Sequence, residues 1–110
     1  MKIPVSLKRR HLVEQDLAPA QALAIADAYL EGNRIADALE FLVKADAQDR
    51  LSELRRAAID CGDVFLIRDL SYRLGEEPSA REWRAAADAA QAAGKETYAI
   101  EARRLAEALG

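Results

Sequence analysis

The sequence predicts an all-α protein of helical hairpins, and three observations carry that expectation. The first is composition. Of 110 residues, 51% are apolar but only 5% aromatic. Ala, Leu, Arg and Glu dominate, and all are strong helix formers; a sheet protein would want more β-branched and aromatic residues. The second is periodicity, since apolar residues recur at three-and-four spacing in successive stretches, each one stripe of a 3.6-residue helix. The third is punctuation. Gly32, Gly62 and Gly94 each follow one such stretch and precede another, at spacings of about 30 and 32 residues.

Taken in order, Ser6 can cap a short helix near 7–15. The next helix, 18–31, has Pro19 in its first turn, where a missing N–H costs nothing, and Ala22, Ile25 or Ala26, and Tyr29 on its stripe. Gly32 then closes the helix in the left-handed conformation that Gly adopts without a Cβ penalty. Asn33 opens helix 34–45, with Ile35, Ala38 or Leu39, and Leu42 facing inward. In "KADAQD", Asp46 is the expected cap of helix 48–61, whose stripe is Leu51, Leu54, Ala58 and Cys61. Gly62 and the capping Asp63 lead to helix 63–74, striped by Val64, Ile67, Leu70 and Leu74. Gly75 ends that helix and Pro78 cannot continue it. Ser79 with Glu82 spells a capping box for helix 80–93, which carries Trp83, Ala86 or Ala87, Ala90 and Ala93. After Gly94, helix 96–109 presents Ala99, Ala102, Leu105 or Ala106, and Leu109. Stripes this rich in Ala let helix axes approach toward the short end of about 8–10 Å.

Six or seven helices thus form three helix–turn–helix units, with Gly32, Gly62 and Gly94 as equivalent structural turns. A period near 30 residues is the mark of an α-solenoid, in which one unit cannot bury its apolar faces alone and three stacked units can. The expected organisation is an N-terminal arm or short helix over 1–17 and a single three-hairpin domain over 18–110.

Composition also excludes functions. A net charge of −3 with both signs interspersed gives no strong field for nucleic acid or anionic lipid. No window approaches a membrane span, and "MKIPVSLKRRHLVEQ" lacks the apolar core of a signal peptide. Cys61 is the one cysteine, so no intrachain disulfide forms; beside apolar residues it is expected as a small buried hydrophobe. These features point to a cytoplasmic, bacterial-type protein. A catalytic site needs converging groups, and a metal site of ordinary type needs several His or Cys ligands. With one His, one Cys and no phosphate-cradling Gly-rich loop, the sequence predicts no enzyme, no metal and no cofactor.

The hairpin pattern resembles a degenerate form of the tetratricopeptide-repeat class over residues 20–109. Phe41 stands nine residues after Gly32, Ala99 five after Gly94 and Ala106 twelve after it, where that family places an aromatic and two small residues. Asp37, Lys44, Ile67 and Leu74 depart from the corresponding positions, and Tyr29 precedes Gly32 by three residues instead of four. The resemblance implies a right-handed α-α superhelix that binds a peptide or partner protein in the groove lined by the first helix of each hairpin. Carried over by offset from the Gly residues, the groove positions are Ala26 and Tyr29, then Ser52, Arg56 and Ile59, then Arg84, Asp88 and Gln91. Arg56 and Arg84 would favour an acidic segment or a C-terminal carboxylate through paired N–H donors.

Two other partner classes follow from particular residues. "LSYRLGEEPSAREWRAA", within 66–93, resembles a DNA-binding helix-turn-helix with Arg81 and Arg84 outward, but Glu76 and Glu77 at the mouth of its second helix repel phosphate. The basic run Lys8–His11 offers a contact for nucleic acid or anionic lipid, but it is short in an acidic chain and reads as the solvated face of a short N-terminal helix. Self-association is the remaining expectation. Against it, Glu101, Arg103, Arg104 and Glu107 give the last helix the polar outer face of a terminal unit.

Overall fold

Seven helices and no strand make up the described residues of the structure, a computed structural model that describes residues 3, 6–14 and 17–110. They are α1 (Ser6–Glu14), α2 (Pro19–Glu31), α3 (Ile35–Lys44), α4 (Gln48–Cys61), α5 (Val64–Leu74), α6 (Ala80–Ala92) and α7 (Glu96–Ala108). Each lies within a residue or two of its expected span, as boundary assignments allow.

One local device closes five successive helices. Arg34, Ala47, Asp63, Glu76 and Lys95 each donate a backbone N–H to the carbonyl five residues back, at 2.8–3.0 Å. The residue before each donor is left-handed: Asn33, Asp46, Gly62, Gly75 and Gly94, with φ between 52° and 76°. This six-to-one bond satisfies a carbonyl that the helix end would otherwise orphan.

The device corrects three expectations. Gly32 has φ −83°, so the left-handed residue of the first hairpin is Asn33; Asn tolerates that region because its short polar side chain can bond locally. Asn33 therefore does not cap α3, whose first turn follows Arg34 without a side-chain cap. Asp46 likewise takes the left-handed position after α3, and its carboxylate accepts from the Gln48 side chain at 3.3 Å. Asp63 and Ser79 do cap, accepting from Leu66 N at 3.1 Å and Glu82 N at 3.0 Å.

The chain divides into two compact units, Met1–Leu51 and Ser52–Gly110, with the boundary inside α4. In the first unit, α2 and α3 pack as an antiparallel hairpin. Ala22, Ile25, Ala26 and Tyr29 are buried from one helix and Ala38, Leu39, Phe41 and Leu42 from the other. Tyr29 and Phe41 stack with ring centroids 5.9 Å apart. The Arg9 guanidinium of α1 lies 5.6 Å from both centroids and donates to the Asp37 carbonyl at 3.0 Å. The middle of the basic run is thus an internal cation over two aromatic faces, while Lys8, Arg10 and His11 are exposed.

In the second unit, α6 and α7 form a hairpin sealed by alanine: Ala86, Ala87 and Ala90 against Ala99, Ala102 and Ala106, all buried. Trp83 is the one large apolar side chain that α6 buries. Close approach is also forced between the end of α4 and α6. A Cβ at Gly62 would stand 2.5–2.6 Å from the N, Cα and Cβ of Ala90, so only Gly fits there on both steric and φ grounds.

Three stripes differ from expectation. On α6, Trp83, Ala86, Ala87 and Ala90 are buried, but Ala93 follows the last residue of the helix and is exposed. On α4, Leu51, Arg55, Ala58 and Ile59 are buried, whereas Leu54 is half-buried and Cys61 is exposed. Cys61 is not a core residue, because the buried face turns toward Arg55 and carries Cys61 out of it. On α7, Leu109 is 58% exposed while Ala106 is buried.

Candidate functional site

The second unit holds the groups that could do chemistry or recognition, and its organising residue is Arg55. The guanidinium forks onto the Glu82 carboxylate, Nη1 to Oε2 at 2.7 Å and Nη2 to Oε1 at 3.1 Å. Nε donates to Ser71 Oγ at 3.0 Å and Nη2 also to the Glu76 carbonyl at 3.3 Å. One side chain of α4 thereby joins α5, the α5–α6 turn and α6. Glu82 reaches the position because it is the third residue of the capping box, where its carboxylate also accepts from Ser79 N at 3.0 Å. Hydrogen bonding from Arg55 holds the Glu82 carboxyl well below its ordinary range, at about 2, as a bidentate charge-assisted pair should. The Arg55 pKa is raised, again chiefly through its bonds to Glu82. With both charges engaged, this pair is a structural element that stays charged at neutral pH.

An open depression of about 230 Å³ lies beside the pair, lined by Ser52, Glu53, Arg56 and Ile59 together with Arg55 and Glu82. A second, of about 470 Å³, lies between α6 and α7 and is lined by Arg84, Ala87, Asp88, Arg103, Ala106 and Glu107. Its floor is alanine and its rim is charged. Arg103 stands 3.7 Å from Asp88 and hydrogen-bonds the Gln91 side chain. Of the positions carried over by resemblance, Ser52 and Arg56 therefore share one depression, and Arg84 and Asp88 share another beside Gln91. Tyr29 belongs to neither: it is fully buried against Phe41. Ile59, 8% exposed, still lines the first depression with Ser52 and Arg56, whereas Ala26 is fully buried like Tyr29. The offset rule placed Ala26 and Tyr29 on a groove because it counts position along a helix and takes no account of which face a large side chain needs to bury.

Comparison with protein-family models, with curated proteins and with solved structures finds no match to this chain. What can be said of function therefore rests on the side chains. Among the described residues, no three His, Cys, Asp or Glu side chains gather as a metal-binding group, and no helix is long and apolar enough to cross a membrane.

Two features of the second unit were not expected. Arg55 shares a face with Leu51, Ala58 and Gly62 at helical spacing, and that phase was its signal; a charged residue on an apolar stripe implies a buried partner. Phe65 and Tyr72 of α5 are 66% and 86% exposed. Their signal was that both fall out of phase with the Val64, Ile67 and Leu70 stripe.

Proposed function

We propose that this chain is a non-enzymatic protein-interaction module that takes an acidic peptide segment, or a C-terminal carboxylate, at the exposed guanidinium groups of Arg84 on α6 and Arg56 on α4. One observation carries the proposal. Arg55, Arg68, Arg73 and Arg103 are committed to carboxylates within the second unit, whereas Arg56 and Arg84 are exposed, line the two depressions and make no ion pair among the described residues. An uncommitted guanidinium keeps its planar fork of donors available, and that fork matches a carboxylate in geometry and charge. The alanine floor beside Arg84 lets a peptide backbone come close. Each charge-assisted hydrogen bond of this kind contributes about 1.5–3 kcal/mol, enough to orient a short ligand. The reading of the three hairpins as units of a tetratricopeptide-like superhelix belongs to the same proposal and rests on the Gly period and on Phe41, Ala99 and Ala106.

Fluorescence anisotropy of a labelled acidic peptide with a free C-terminus tests it. Arg84→Glu should weaken binding by about ten-fold or more, the equivalent of one such bond, with helicity by circular dichroism unchanged. Retained affinity removes Arg84 from the site. Steeply salt-dependent binding to random duplex DNA, equal to or stronger than peptide binding, would instead favour the helix-turn-helix alternative.

A further inference from the structure

The exposed face of α5 carries two large aromatic side chains. Phe65, Arg68, Asp69 and Tyr72 follow one another at i, i+3, i+4 and i+7, so they lie on one stripe of the helix. Phe65 is 66% and Tyr72 86% exposed, although large apolar side chains in register on a surface mark interaction sites. Tyr98 and Glu101 of α7 border the same groove, an open space of about 670 Å³. A further hollow of about 440 Å³ continues it past Tyr72 to Pro78, Trp83 and Leu109.

The charges on this stripe cancel. Arg68 pairs with Glu101 at 3.0 Å and Asp69 with Arg73 at 2.8 Å. A balanced patch offers no net attraction to a polyanion or a polycation. It does suit a second copy of itself, because the order of the four residues is self-complementary. Laid antiparallel about a two-fold axis between residues 68 and 69, Phe65 of one copy faces Tyr72 of the other, and Arg68 faces Asp69. Each contact occurs twice, as an isologous interface requires. The aromatic rings stand about 10.5 Å apart along the helix, so they flank the charges and shield them from water.

We infer that the chain forms a homodimer through antiparallel pairing of α5 across this axis. Aromatic side chains bury about 150–250 Å² each when fully covered, so the exposed parts of Phe65 and Tyr72 supply roughly 300 Å² per copy. Arg68, Tyr98 and Leu109 extend the contact to somewhat over half of the roughly 800 Å² per partner of a standard interface. The dimer is therefore weak and concentration-dependent. It uses a face distinct from the one proposed above for peptides, so either can fail alone.

Sedimentation equilibrium of the full chain over a wide concentration range tests the inference. Wild-type mass should climb from one chain toward two, and Tyr72→Glu or Phe65→Glu should lower the association constant at least ten-fold. Both positions are exposed, and unchanged circular dichroism will show that folding is kept. The register has its own test. Arg68→Glu and Asp69→Lys should each prevent dimerisation alone, since like charges then face each other twice. An equimolar mixture of the two should restore it, since both facing pairs become attractive. A wild-type chain that stays monomeric overturns the dimer and leaves the face to a different protein. Dimerisation that survives Tyr72→Glu overturns the interface, and a mixture that fails to associate overturns the antiparallel register.

Discussion

Replacing Gly62 by Ala should destabilise the second unit more than the same change at Gly94, and the difference measures how closely α4 approaches α6. Both residues are left-handed, with φ of 73° and 76°. For Ala that region costs about 1–2 kcal/mol, offset by about 0.4–1 kcal/mol from the stiffer unfolded chain. Gly94→Ala meets nothing within 4 Å, so its net cost should be about 1 kcal/mol. At Gly62 the new methyl would stand 2.5–2.6 Å from backbone and Cβ atoms of Ala90, against an ordinary carbon contact of about 3.5–4.0 Å. The helices must separate by about an ångström, and overpacking of that kind adds about 1–3 kcal/mol. The total is about 2–4 kcal/mol. Gly32→Ala provides the contrast: φ is −83°, and the methyl meets only the tip of Ile3, which can rotate away, so stability should change by less than about 0.5 kcal/mol. Urea unfolding followed by circular dichroism at each variant gives the three numbers. Equal costs at Gly62 and Gly94 would refute the close approach, and a large loss at Gly32 would refute the assignment of the first turn to Asn33.

Four further outcomes are expected. Ala90→Leu puts three extra carbons into the same seam and should cost about 1–3 kcal/mol, read as a lower melting temperature. Glu82→Gln should cost roughly 1–2 kcal/mol at neutral pH, a value reduced from the full pKa shift because the carboxylate is partly exposed. The folded pKa is about 2 against an ordinary 4.5. The wild-type advantage should therefore be complete above pH 4.5, shrink as pH falls and vanish below about pH 2, in urea titrations across that window. Tyr29→Phe removes a buried hydroxyl that has no hydrogen-bond partner among the described residues, and should leave stability unchanged or raise it by about 1 kcal/mol. Cys61 is exposed, so it should react with an aromatic disulfide reagent in the folded protein about as fast as in urea; protection in the folded state would show it buried after all.

The all-α fold was legible because helix propensity, apolar period and turn residues agreed at every step, and the capping box at Ser79 and Glu82 was legible because its spacing is local. What escaped depended on contacts between distant segments. Arg55 is buried through Glu82, twenty-seven residues away, and its burial rotates α4 so that Cys61 emerges. Arg9 of the basic run finds Tyr29 and Phe41 only once α2 and α3 have paired. Gly32 drew the turn one residue early because Gly is the commonest left-handed residue, and the neighbouring Asn33 takes the role here. Of the candidate site, the exposed Arg56, Arg84, Asp88 and Gln91 were readable as residues off the apolar stripes, while the exposed Ser52 came only from the helical offset. Tyr29 was not, since nothing in a helical offset says that a large ring must be covered.

The most direct test of the proposed peptide site is residue-by-residue mapping of amide chemical shifts while an acidic peptide with a free C-terminus is titrated in. Shifts are expected to gather at Ser52, Arg56, Arg84, Asp88 and Gln91, to weaken when the peptide is amidated, and to leave Phe65 and Tyr72 unmoved. Shifts centred on Phe65 and Tyr72, or none at saturating peptide, would contradict a carboxylate-binding module built on Arg84.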